Sequence, residues 1–254
     1  MRIRLLTLVA ALCVIVQVCL AEQFWEKKAY SQWSAKEVAQ MMQNSPWTLS
    51  YSIGTTNITE IGVGPSGSGR GRGTASQSAG LASSQDIQHQ SDPRINYLVQ
   101  LRSALPIRQA VARKLQIEAR YDAMPPQQKA AVDAKIAEYL NTSFEDRVVL
   151  QVIYSSNVPT YLSDIRRYWM AQTAEQLKSS MFLNAGGEKI PVEGYVVSAD
   201  QTIFELTFAR PKEVGAHSNL SLEFTQPAIG ILPEQKVLVQ FKPKDMAVNG
   251  AVQF

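Results

Sequence analysis

Arg147-Val148-Val149-Leu150-Gln151-Val152-Ile153-Tyr154-Ser155 decides the fold class of this 254-residue chain. Apolar and β-branched residues follow one another with a single polar break, the composition of a central strand covered on both faces. On its N-terminal side, Leu105-Pro106 begins a helix that runs to about Arg120. Ile107, Val111 and Leu115 fall there at i, i+4, i+8, with Ala110, Lys114 and Ile117 alongside. Met124-Pro125-Pro126 ends that helix. A second covers roughly 126–140, with proline tolerated in the first turn and Val132, Ile136, Tyr139 and Leu140 on one face. On the C-terminal side, Pro159–Met170 reads as a helix, and Thr173-Ala174-Glu175-Gln176 caps a further short one.

Further toward the N-terminus the period changes to two. Trp47, Leu49, Tyr51 and Ile53 alternate with Thr48, Ser50 and Ser52; Ile95, Tyr97, Val99 and Leu101 alternate with Asn96, Leu98 and Gln100. Both patterns are half-buried strands. Residues 62–92 between them hold seven of the 14 glycines, seven serines and only three large aliphatics, Val63, Leu81 and Ile87. So little apolar surface does not offset ordering entropy, and the stretch is expected to be a disordered insertion. The two strands are expected to form a hairpin with an inflated loop, because closure entropy grows slowly with loop length. Ahead of them, Ser34 and Glu37 form a capping box, Trp33 and Val38 form a hydrophobic staple, and the helix they start runs over 34–44 to Asn44-Ser45-Pro46. Strands are expected at 189–197, 202–209, 219–225 and 235–242, joined by turn-rich segments. The pattern predicts an α+β fold: a mostly antiparallel sheet with helices packed on it and a C-terminal β-meander, forming a single domain over 22–254.

The chain opens Met1-Arg2-Ile3-Arg4, then runs apolar from Leu5 to Leu20 and reaches Ala21 before Glu22. This is the layout of a cleaved secretory signal over residues 1–21. The apolar run of 16 residues falls short of the roughly 20 that span a bilayer. Cys13 and Cys19 both lie inside the leader, so the mature chain is expected to be cysteine-free, without disulfides, thiol catalysis or cysteine-ligated metal. Without Arg2 and Arg4, 23 basic residues face 22 acidic ones. That balance gives no global attraction to nucleic acid.

Chemistry-bearing patterns are sparse. His89 lies in the Gly/Ser-rich stretch and His217 in a turn, with no zinc-ligand spacing around either, so no metal or cofactor is assigned. Gly67-Ser68-Gly69-Arg70-Gly71-Arg72-Gly73 lacks the Gly-Lys-Ser/Thr ending of a phosphate loop. No Gly-x-Ser-x-Gly elbow follows a strand. Asp146 and Asp164 are the carboxylates available to a hydrolase; their plainer reading is a polar loop and a surface ion pair. Arg102, Arg108, Arg113, Lys114 and Arg120 have only Glu118 to offset them, a face for an acidic envelope partner or simply a solvated helix. Trp25, Tyr30, Trp33 and Trp47 cluster near the mature N-terminus, a surface for sugars or a membrane interface or else part of the core. Trp25, Trp33, Arg108, Arg113 and Lys114 are the candidate partner surface.

Trp25-Glu26-Lys27-Lys28, Asn44-Ser45-Pro46-Trp47, Ser103-Ala104-Leu105-Pro106-Ile107-Arg108 and Phe241-Lys242-Pro243-Lys244-Asp245-Met246 together resemble a group of uncharacterised exported bacterial proteins, over most of residues 24–250. The resemblance implies export and a single-domain architecture, and no activity. The expectation is a periplasmic or extracellular protein, non-enzymatic, that binds a partner or ligand in the cell envelope. The alternatives are a carboxylate hydrolase and a peripheral membrane protein attached through Trp25 and Trp33.

Overall fold

The computed structural model of the chain describes residues 23–54, 59–61, 92–212, 214–215 and 218–254. The leader at 1–21, the 62–92 stretch up to residue 91, and both histidines lie outside the described residues. The strands are β1 (Thr48–Gly54), β2 (Thr59–Ile61), β3 (Arg94–Leu101), β4 (Arg147–Ser156), β5 (Phe182–Ala185), β6 (Glu188–Val197), β7 (Ile203–Ala209), β8 (Leu220–Gln226) and β9 (Gln235–Phe241). They form one sheet in the order β2-β1-β3-β4-β7-β6-β5-β8-β9, with every pairing antiparallel. The helices are α1 (Phe24–Lys27), α2 (Ala35–Gln43), α3 (Leu105–Glu118), α4 (Pro126–Leu140), α5 (Pro159–Met170) and α6 (Ala174–Leu177). A small hairpin, β10 (Ala247–Val248) with β11 (Ala251–Val252), ends the chain. The fold is α+β.

The alternation on either side of the Gly/Ser-rich stretch translates directly into pairing: β1 lies against β3 from Thr48↔Gln100 to Gly54↔Arg94. β4 is central, with β3 on one edge and β7 on the other. The C-terminal strands depart from a plain meander. β5, β6 and β7 do follow one another, but β7 docks on β4, and β8 then returns to the free edge of β5.

The sheet coils until β1 approaches β9, which makes it nearly a barrel. One row of alternate residues turns inward: Tyr97 and Val99 on β3, Leu150, Val152 and Tyr154 on β4, Phe204 and Leu206 on β7, Leu222 and Phe224 on β8, Val237 and Val239 on β9, all buried. β6 keeps its apolar residues on that side by means of a bulge between Val192 and Gly194. The extra residue shifts the parity, so Ile190 and Val192 before it and Tyr195 and Val197 after it face the same way. A Cβ at Gly194 would lie 3.0 Å from the Thr207 side chain, so glycine lets β6 approach β7 there without displacing that side chain.

α5 packs into this interior. Trp169 is fully buried, with ring centroids 4.7 Å from Phe204 and 5.9 Å from Phe224. At its N-terminal end Tyr161 Oη accepts from the Ile231 N–H at 3.0 Å. Gly230 sits beneath the Tyr161 ring at φ 57°, where a Cβ would lie 2.2 Å from it.

α2 and α3 pack on each other and on the outward face of β3 and β4. The capping box forms as its residues predict, with Ser34 Oγ accepting from Glu37 N–H and Glu37 accepting from Ser34 N–H at 2.8 Å. α4 lies on α3, held by Arg108, whose guanidinium donates to the carbonyls of Leu140 (2.7 Å) and Thr142 (3.0 Å) at the C-terminal end of α4. Those carbonyls have no helical donor of their own.

Candidate groove between two helices and the sheet

Four of the five side chains proposed from sequence as a partner surface, Trp25, Trp33, Arg108 and Arg113, are engaged within the fold. Trp25 is 7 % exposed and Trp33 0 %, so neither ring is presented to a membrane, sugar or partner. Edge-to-face contacts of Phe24 with Trp33 (5.3 Å) and of Trp25 with Trp47 (5.6 Å) make them a core under α1 and α2. Trp47 closes this core by donating to Gln253 O at 2.7 Å. The shared basic face does not form either. Arg108 is buried against Phe144, its pKa lowered by burial, and its charge is matched by the α4 carbonyls. Arg113 donates from Nε to Trp33 O at 2.9 Å and lies 3.8 Å from Asp122. Lys114 is exposed and paired with Glu118 at 3.7 Å, and Arg120, past the end of α3, is exposed as well.

The two carboxylates do not converge. Asp146 precedes β4 and pairs with Arg147 at 3.8 Å; Asp164 lies on α5, beyond the other end of β4, and pairs with Arg167 at 3.4 Å. Ten residues of strand, about 33 Å at 3.3 Å per residue, run between the two segments. Among the described residues no three His, Cys, Asp or Glu side chains gather as metal ligands, and no helix is long and apolar enough to cross a membrane. The interior tyrosines are likewise structural. Burial pushes Tyr154 up to about 12 and raises Tyr97 and Tyr195 as well. Their hydroxyls donate to Gln201 O (Tyr154), Gln226 Oε1 (Tyr97) and, at 2.6 Å, Trp169 O (Tyr195).

Among the described residues, one concave feature with binding character is a groove of about 370 Å³ on the outward side of the sheet. Its floor follows from the alternation of β3 and β4: outward-pointing Leu98 and Ile153 are cross-strand partners, flanked by the Gln100↔Gln151 pair. α2 supplies one wall through Ala35, Val38, Ala39 and Met42, spaced i, i+3, i+4, i+7. α3 supplies the other through Lys114, Ile117 and Glu118. Alanine at 35 and 39 leaves space where a longer side chain would lie across the floor. The groove is therefore apolar below and carries the Lys114–Glu118 ion pair above. One buried polar group stands in it. Gln100, 1 % exposed, donates from Nε2 to Met42 O at 2.5 Å, whereas its Oε1 accepts from no donor.

Sequence reasoning placed Leu98 and Gln100 on the polar side of β3 and gave them no role. The available signal was Leu98 itself, an apolar residue in the outward row, opposite an apolar-all-round β4. Comparison with protein-family models, with curated proteins and with solved structures returned no match.

Proposed function

We propose that this chain is an exported, non-enzymatic binding protein of the cell envelope, and that the groove between α2, α3 and the outward face of β3–β4 is its ligand site. The groove carries the reading: an apolar cleft of about 370 Å³ with few polar groups falls in the size range of about 300–1,000 Å³ and has the lining chemistry of small-molecule sites. The basic start, apolar run and small residues before Glu22 support export. Separation of Asp146 from Asp164 gives the hydrolase alternative no shared site. Burial of Trp25 and Trp33 removes the rings on which membrane attachment was to rest.

Titration of the purified protein with the uncharged apolar fluorophore N-phenyl-1-naphthylamine tests the site. Saturable one-to-one binding is expected, abolished by Ala39→Phe, a change at an exposed helical position that fills the groove with the melting temperature kept. Absence of binding, or binding indifferent to Ala39→Phe, overturns it. Fractionation of cells expressing the chain with its own leader tests the compartment: recovery in the periplasm or medium is expected, and retention in the cytoplasm refutes export.

A further inference from the structure

The interior of the groove gives a ligand little to hydrogen-bond. Gln100 is 1 % exposed with Nε2 committed to Met42 O, Gln43 is exposed at the end of α2, and Lys114 and Glu118 answer each other at 3.7 Å on the rim. The rest of the lining is aliphatic or thioether side chain. A peptide lying there would bury backbone N–H and C=O groups without partners. A hydrocarbon chain has no such groups to strand. The α2 residues that line the groove run from Ala35 to Gln43, about 12 Å at 1.5 Å per residue. An apolar cavity of about 150 Å³ holds one benzene, so about 370 Å³ accommodates roughly 12–15 non-hydrogen atoms at that density.

The register of the sheet carries the floor onward to a charge. Ile153 is the cross-strand partner of Leu98 on β3 and of Ile203 on β7, and all three are partly exposed on the outward face. Two residues along β7 on that face stands Glu205, exposed between its partners Gln151 and Val196, the latter 66 % exposed. Glu205 lies about 8 Å from Ile153, with strands about 4.8 Å apart and about 3.3 Å per residue along each. Among the described residues Glu205 has no ion pair, whereas Glu223 on the same face has Lys189 and Lys236. On the rim Lys114 and Glu118 cancel, so Glu205 is the unanswered charge beside the apolar floor. We infer that the groove binds a medium-chain aliphatic amphiphile with a cationic ammonium head, its chain in the trough and its head beside Glu205. This rests on the groove being a ligand site, and it adds the head-group charge and the chain length.

Three probes of one chain length isolate the head charge: decylamine, an ammonium at neutral pH, uncharged 1-decanol, and anionic decanoate. Binding to the purified full-length mature protein is read by displacement of the fluorophore and by calorimetry. Decylammonium is expected to bind with a Kd on the order of 100 µM, about fivefold tighter than 1-decanol, with decanoate weakest. Raising the salt concentration should shrink that preference. With 23 basic residues against 22 acidic ones in the mature chain, overall charge does not produce it. Glu205→Gln, at an exposed position, should bring decylammonium level with 1-decanol and leave the affinity for 1-decanol unchanged. Ala39→Phe, which abolishes binding of all three probes, supplies the independent control. Equal affinity for decylammonium and 1-decanol in the native protein, or a preference that survives Glu205→Gln, overturns the head-group inference and leaves the groove as a ligand site. Tightest binding of decanoate overturns it as well and moves the charged contact to Lys114. Failure of all three probes and of the fluorophore overturns the groove itself.

Discussion

The outward face of this coiled sheet is treated in two different ways. Over β3 and β4 it is covered: Leu98, Gln100 and Ile153 point out into a layer of helices that leaves a groove above them. Over β5, β8 and β9 it carries charge instead. Glu223 on β8 is bracketed by Lys189 of β6 at 2.9 Å and Lys236 of β9 at 2.8 Å, with Asn184 donating from 3.1 Å. The inward row is apolar in both regions, so the barrel core does not distinguish them. What does is the second face of each strand. A strand apolar on both faces obliges the chain to supply a cover, while a strand with charges on its outer face is complete in water. A cover made of two separate helices need not meet the sheet everywhere, and a binding groove can persist where it does not.

The largest expected effect breaks the covered side at its anchor. Trp33 is fully buried beneath α2 and its carbonyl holds Arg113. Trp33→Ala is expected to cost about 3–5 kcal/mol in urea unfolding and to abolish fluorophore binding. A loss below about 1 kcal/mol would mean that the helical layer does not depend on this ring. A smaller effect separates the two regions. Arg108→Leu leaves the α4 carbonyls without their donor, which should cost about 2–3 kcal/mol. It should raise amide hydrogen exchange in α4 and the end of α3, with β8 and β9 still protected. Uniform loss of protection would show the two regions to be one cooperative unit.

The smallest effect sharpens the comparison by pH. On the covered side, Lys28 at 2.6 Å and the Ser34 N–H hold Glu37 down to about 2. On the charged side, Lys189 and then Lys236 hold Glu223 at about 2. Both lie below the ordinary value of 4.5 for the group. Each therefore lends stability that is fully present above about 4.5 and is lost as pH falls from there through about 2. Unfolding free energy measured between pH 5 and 2 should fall, and Glu223→Gln should make the fall shallower. An unchanged slope in that variant would remove the strand-side ladder from the acid response.

Local chemistry made much of this fold legible before any coordinates. Ser34 and Glu37 mark the start of α2 because a serine hydroxyl and a carboxylate satisfy the first orphan N–H groups of a helix wherever they occur three apart. Thr173 and Gln176 do the same for α6. The alternation in Trp47–Ile53 and Ile95–Leu101 carried the β1–β3 pairing, since a period of two states which residues share a face. Shorter elements escaped. Phe182–Ala185 is too short for a period to register, and Ala247–Val248 with Ala251–Val252 exists by docking near Trp47 and Arg210.

Site residues were the least legible part. Arg108, Arg113 and the N-terminal tryptophans carry chemistry that serves either a surface or a core, and which one applies depends on neighbours remote in sequence: Leu140 and Thr142 for Arg108, Gln253 for Trp47. By itself the sequence determined the longer helices and strands, the mostly antiparallel class and the leader-like start, which follow from residue patterns within single segments. Only the tertiary structure decided that the sheet coils nearly into a barrel, that Trp25 and Trp33 are core, and that Gln100 stands in a groove with one oxygen unmatched. Those outcomes rest on contacts between segments that local patterning leaves free to choose their partners.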